Sequence, residues 1–183
     1  MLLIAHRVNT AAQLQSVPLD LGVEVDVRDS GTRLIVQHDP FCDGEDFEEY
    51  IKSFRHRFII LNVKSERIEH RIRLILERHQ IKDYFFLDCS FPMLHSLSEN
   101  GEANVAVRFS EYEPVEAALR LAGRVRWVWA DCFTQCPFDE VSYRALKEHF
   151  KLCVVSPELH GRPISSIPDF AASMSQGGAI FIL

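Results

Sequence analysis

Eight polar residues follow or interrupt short apolar runs near the start of this chain. LLIA is followed by His6 and Arg7, and GVEVDV carries Glu24 and Asp26. RLIVQ is followed by His38 and Asp39, and FIILNV carries Asn62 and is followed by Lys64. Alternate residues of a strand point to one face, so Glu24 and Asp26 form a carboxylate pair. Two buried carboxylates need a counter-cation, and the hard, oxygen-preferring Mg²⁺ or Ca²⁺ is the natural one. The alternative is a rim carboxylate paired with Arg7 or Lys64. Asn62 adds a side-chain oxygen to the candidate metal set. Lys64 suits a phosphate oxygen as a point charge, and Arg7 offers a forked donor to the same group. His6 and His38 exchange protons near neutral pH. On opposite sides of a phosphodiester, such a pair works as general base and general acid.

The elements that must position these groups are legible as runs. Strand-like segments fall at 2–5, 22–27, 33–37, 57–63, 84–88, 103–108, 126–131, 151–155 and 178–183. Most are near-continuously apolar, as in parallel strands covered on both faces. Run 33–37 follows 22–27 across Asp29-Ser30-Gly31 and reads as a hairpin extension. Between the runs, Phe47, Tyr50, Ile51 and Phe54 share one helical face, as do Ile68, Ile72, Ile75 and Leu76. Further helical patterns cover 113–122, with Pro114 early and Gly123 just past its end, 139–149 after Asp139, and 166–176. Counting the hairpin apart, strand–helix alternation predicts a shortened (β/α)₈ TIM barrel of the α/β class, as one domain over 1–183. The usual barrel has about 250 residues, so this one is stripped down. A doubly wound open sheet is the alternative, weakened by the lack of a glycine-rich phosphate loop. In a barrel the C-terminal strand ends share the rim where chemistry sits.

Composition narrows the partners. The chain has 183 residues, 47% of them hydrophobic, with net charge −6. That acidity argues against nonspecific nucleic-acid binding, so an anionic substrate must be drawn by local positive charge or a metal. No apolar run approaches the roughly 20 residues of a membrane helix, and no signal peptide is visible. The five cysteines are scattered and read as reduced, mostly buried residues of a cytoplasmic protein. Cys132 and Cys136 lack the second pair that a zinc site would need. An open barrel bottom without a final helix would admit a partner chain, hence a homo-oligomer.

LIAHR, then NT, GVEVDV, a short turn, LIVQHDP and ILNVK together resemble the glycerophosphodiester phosphodiesterase family, one of the phosphatidylinositol-specific phospholipase C-like barrels. The resemblance covers residues 2–64, about a third of the chain. It implies a metal-dependent phosphoric diester hydrolase of lipid metabolism acting on a small glycerophosphodiester-like substrate. Glu24 and Asp26 would then be metal ligands, His6 and His38 the acid–base pair, and Arg7 and Lys64 the phosphate holders. Attack on phosphorus would come from a neighbouring substrate hydroxyl or from water. Three positions depart from the pattern. Asn62 stands where the family usually has Glu as a third ligand, which removes a negative charge, and Asp88 after the next strand is a candidate to compensate. Val8 replaces the usual Gly, and the long insertion after HD shrinks to the stretch 40–55.

In the second half, Arg108 could grip a second anionic group or pair with Glu111 or Glu113. Trp129 serves the core or stacks on substrate. Asp131 and Glu158 could bind sugar or glycerol hydroxyls, or form loop ion pairs, and His160 lies near the rim. A barrel that binds a phosphorylated ligand without catalysis is the competing function, and Asn62 favours it. A sugar-phosphate isomerase or aldolase would rest on Lys64 alone.

Overall fold

A computed structural model describes residues 2–170 and, by backbone alone, 180–182. Contacts gather the chain into two compact units, one spanning Ile4–Ser96 and one holding the rest of the described chain.

The first unit is organised around β2 (Gly22–Ser30), which alternates Val23, Val25 and Val27 on one face with Glu24 and Asp26 on the other. All five are fully buried. β2 runs parallel to β1 (Leu2–Ala5) on one side and to β5 (Ile59–Val63) on the other. The register with β5 sets Asp26 opposite Asn62, and β6 (Tyr84–Leu87) continues the parallel order beyond β5. The end of β2 folds back antiparallel onto β3 (Arg33–Val36), which pairs with the two-residue β4 (Glu45–Asp46). The hairpin expected from the sequence is therefore present.

Helix α2 (Phe47–Ser53) starts at Asp46, whose carboxylate accepts from the Glu48 and Glu49 N–H groups. Its expected apolar face, Phe47, Tyr50, Ile51 and Phe54, is buried. Helix α3 (Glu69–Arg78) buries Ile72 and Leu76 of the expected face. Two helices lie outside the patterns singled out above: α1 (Ala11–Ser16), capped by the Thr10 side chain, and α4 (Phe91–Glu99). Six residues are too few to show a 3.6-residue period, and Pro92 breaks the look of α4, although proline is tolerated in a first turn.

The second unit carries β7 (Ala106–Phe109), β8 (Trp127–Ala130), β9 (Lys151–Val155) and β10 (Ile180–Ile182), parallel and paired in that order. Helix α5 is reduced to Val115–Leu119, with Pro114 as its cap and not in its first turn. Helix α6 (Glu140–His149) opens with a reciprocal box between Asp139 and Ser142. Of the helix expected over 166–176, residues 167–170 are helical and 171–176 lie outside the described residues, as do 178, 179 and 183 of the last expected run.

The eight parallel strands counted from the sequence are all present, but a closed barrel is not seen among the described residues. β6 carries a single ladder, to β5, and β7 a single ladder, to β8. All five cysteines are free. Cys132 and Cys153 are buried, Cys89 and Cys136 half-buried and Cys42 exposed, so fewer are buried than expected.

Candidate functional site

His6, Arg7, Glu24, Asp26, His38, Asn62 and Lys64 converge within the unit Ile4–Ser96. His6 and Arg7 leave the end of β1, and Arg7 adopts the left-handed region at φ 53°. A non-glycine residue there is strained unless its surroundings hold it. Here the Arg7 backbone N–H donates to Glu24 Oε2 at 2.8 Å, and the following Val8 N–H donates to the Glu24 carbonyl at 2.9 Å. Tyr50 fixes the same turn from beneath, its buried hydroxyl donating to the Val8 carbonyl at 2.8 Å. The His6 ring lies 3.8 Å from Glu24 Oε2. Burial, then the nearby Arg7, pull its pKa down to about 4 against the opposing pull of Asp26, so His6 is a neutral imidazole at neutral pH.

The carboxylate pair is held differently at its two members. Glu24 accepts from Arg7 on one oxygen and from Asn62 Nδ2 on the other, at 2.9 Å. Burial, then the Asp26 charge, push its pKa up, and those two hydrogen bonds oppose the rise. Asp26 is clamped by Asn9, which donates from Nδ2 to Asp26 Oδ2 at 2.7 Å and accepts the Asp26 N–H on Oδ1 at 2.9 Å. Asn9 was not among the site residues expected from the sequence, although it begins the NT pair of the resemblance. Lys64 Nζ stands 3.4 Å from Asp26 Oδ1 and 3.8 Å from Asp88 Oδ2. Asp88 thus faces Lys64, the cation of the site.

His38 closes the set. Its Nε2 lies 3.0 Å from Arg7 Nη2 and its Nδ1 lies 2.8 Å from Asp39 Oδ1. Beside Arg7 opens a cleft of about 590 Å³, lined by Asn9, Gln13, Gln37 and Glu45 among others.

Two buried oxygens of this site, Asp26 Oδ1 and Asn62 Oδ1, have no hydrogen-bond partner. Orphaned oxygens beside a buried carboxylate pair suit a hard divalent cation. The donor set is two carboxylates and an amide. Among the described residues no three His, Cys, Asp or Glu side chains gather for a metal.

Arg108 belongs to the second unit, where its guanidinium pairs with Asp131. Asp131 also accepts the Trp129 indole N–H at 3.0 Å and lies 3.3 Å from the His160 ring. Burial pushes the Asp131 pKa up, against Arg108, Trp129 and His160. Trp129 is therefore a core residue with a satisfied N–H. Glu158 accepts from the Ser156 hydroxyl. Among the described residues no helix is long and apolar enough to cross a membrane.

No protein-family model matches this chain, and no curated protein does. Solved structures do. A glycerophosphodiester phosphodiesterase from Agrobacterium tumefaciens is 14% identical, with TM-score 0.66, over 100% of this chain and 96% of that one. A glycerophosphoryl diester phosphodiesterase from Parabacteroides distasonis is 12% identical, with TM-score 0.68, over 99% of this chain and 81% of that one. At such identity the likeness is one of fold, and this chain has the fold of the glycerophosphodiester phosphodiesterases.

Proposed function

We propose that this protein is a phosphodiester hydrolase acting on a small glycerophosphodiester-like substrate. The observation that carries the reading is the chain of contacts from His6 through Glu24 and Arg7 to His38, with Lys64 at Asp26 beside it. Two proton-exchanging groups, two phosphate-seeking cations and a buried carboxylate pair within one unit match the needs of phosphoryl transfer. The fold shared with known phosphodiesterases supports it.

In this reading Arg7 and Lys64 bind the phosphoryl oxygens. His6, kept neutral by burial, takes the proton of the attacking hydroxyl, either a neighbouring one on the substrate or that of water. As the new P–O bond forms and the bond to the leaving alcohol breaks, His38 returns a proton to the departing oxygen. Asp39 Oδ1, 2.8 Å from His38 Nδ1, orients the ring for this role. Glu24, Asp26 and Asn62 would hold Mg²⁺ or Ca²⁺, which when bound neutralises the carboxylates and polarises the phosphoryl oxygens.

The test is alcohol release from a panel of glycerophosphodiesters and inositol phosphodiesters, with Mg²⁺, with Ca²⁺ and with chelator. Wild-type turnover that falls by roughly a hundredfold or more in His6→Ala and in His38→Ala, both folded, is the expected result. A folded wild-type protein that binds glycerol phosphate but turns over no ester would instead support a phosphate-binding protein. The hydrogen bond from Asn62 to Glu24, which occupies a carboxylate oxygen otherwise open to a metal, is the observation that favours that second reading.

A further inference from the structure

His38 sits between two groups of opposite character, and their chemistry determines its proton. A guanidinium has N–H donors and no acceptor. The 3.0 Å contact from Arg7 Nη2 therefore ends on the lone pair of His38 Nε2, and the ring hydrogen lies on Nδ1. From there it donates to Asp39 Oδ1 at 2.8 Å. The neighbouring loop is built to keep Asp39 in place. The Asp39 backbone N–H donates to Gln37 Oε1 at 3.1 Å, and Gln37 Nε2 donates to the Asp43 carbonyl at 2.9 Å. Nδ1 is thus committed to Asp39, which leaves Nε2 as the atom for proton transfer to or from a substrate, and Arg7 covers it.

We propose that Asp39 is a positioning residue that fixes the His38 tautomer, and that Arg7 masks His38 Nε2 until a phosphate draws the guanidinium away. Resting on the hydrolase reading above, this explains how one arginine serves two states. Without phosphate, Arg7 donates to a neutral imidazole. A phosphoryl group offers it a charge-assisted, bidentate partner, roughly twice as strong per hydrogen bond. Arg7 can make that exchange without unravelling the strand end, because its backbone N–H stays on Glu24 while only the exposed side chain moves. Once uncovered, Nε2 accepts a proton from solvent and holds it for the leaving oxygen, while Nδ1–H remains on Asp39. The ring becomes proton-bearing only when a phosphate is bound, which couples the acid to its substrate.

The experiment is ¹⁵N correlation spectroscopy of the histidine rings in the full chain, at one neutral pH, with inorganic phosphate as the probe. Wild type alone should show an N–H nitrogen at His38 Nδ1 and a bare nitrogen at Nε2. Phosphate should move the Nε2 resonance and leave Nδ1 bearing its hydrogen. In Asp39→Ala the hydrogen should redistribute toward Nε2, with kcat falling roughly tenfold to a hundredfold and KM nearly constant. Arg7→Lys should leave Nδ1 protonated but abolish the phosphate-induced change at Nε2. An Nε2–H ring in wild type, or an Nε2 resonance indifferent to phosphate, overturns the proposal whatever the turnover. A phosphate-sensitive Nε2 in a protein that hydrolyses no diester overturns the hydrolase reading and upholds the Arg7 exchange.

Discussion

At the scale of single residues, Lys64 is the charge in the site with the clearest test, because it stands against both Asp26 and Asp88. It is the cation nearest the orphaned Asp26 Oδ1, and Asp26 is fully buried. Replacing it by the similar-sized but neutral Met leaves that carboxylate without compensation and removes the phosphate contact proposed above. Lys64→Met should lower kcat/KM by about a hundredfold, most of it through KM, and should also lower Tm because an uncompensated buried charge is costly. Steady-state kinetics with calorimetry on the same preparation reads both. Unchanged KM would mean that Lys64 is merely the counter-ion of Asp26 and Asp88. The residue types were legible in the sequence because strand geometry forces alternate side chains to one face, so the pairs Glu24/Asp26 and Asn62/Lys64 were legible as pairs. The clamp of Asn9 on Asp26 was not. A turn between β1 and α1 has no period from which the direction of its side chains can be read. Arg108 shows the same limit, since its partner Asp131 lies 23 residues away.

Among the elements, the short connections carry the strain and the sharpest expectations. Gly44 precedes β4 with its backbone so close to β3 that an added Cβ would lie 2.3 Å from the Val36 carbonyl oxygen. That oxygen is backbone and cannot yield as a flexible side chain would. Gly44→Ala should therefore displace the 40–45 loop at a cost of about 1–3 kcal/mol, lowering Tm by several degrees. It should also reduce activity, because the same loop holds Asp39 through Gln37. In the second unit Glu111 ties down the stretch after β8. Burial pushes its carboxyl up, but N–H donors from Gln135 and Thr134 prevail and hold it at about 2. A depressed carboxylate contributes stability that is full above its ordinary pKa and is lost as pH falls toward the folded value. Glu111→Gln should thus lower Tm at neutral pH by roughly 2–4 °C, and the gap to wild type should close between about pH 4.5 and 2. A gap independent of pH would assign the loss to packing and not to the charge. The strands were legible because each is a continuous apolar run. The one-and-a-half-turn α1 was not, because its fold rests on the Thr10 cap and one buried residue, Leu14.

For the molecule as a whole, folding and metal binding should be one equilibrium, and Asn62 sets its balance. A group that binds only the folded state stabilises it by RT ln(1 + [L]/Kd). Two buried carboxylates and one amide, with an oxygen of Asp26 and one of Asn62 lacking a hydrogen-bond partner, predict that Tm rises with Mg²⁺ or Ca²⁺ and drops on chelation. The amide makes this dependence shallow. It donates to Glu24 when no cation is present, so the metal-free protein is already partly satisfied. Asn62→Glu removes that donor and adds a third carboxylate opposite Asp26 in the β2–β5 register. The variant should be less stable than wild type in chelator, where three acids repel one another. It should overtake wild type at millimolar metal, with Kd tightened by about tenfold or more. Crossing melting curves, recorded by calorimetry across a metal series, are the expected signature. Parallel curves would mean that Glu24 and Asp26 answer to Lys64 and Arg7 alone, the ion-paired alternative that the sequence left open. Whole-molecule form was the least legible level for the same reason that this experiment needs the full chain. The parallel strands each announce themselves locally, whereas ring closure depends on stagger summed over every ladder, and no single run of residues records that sum.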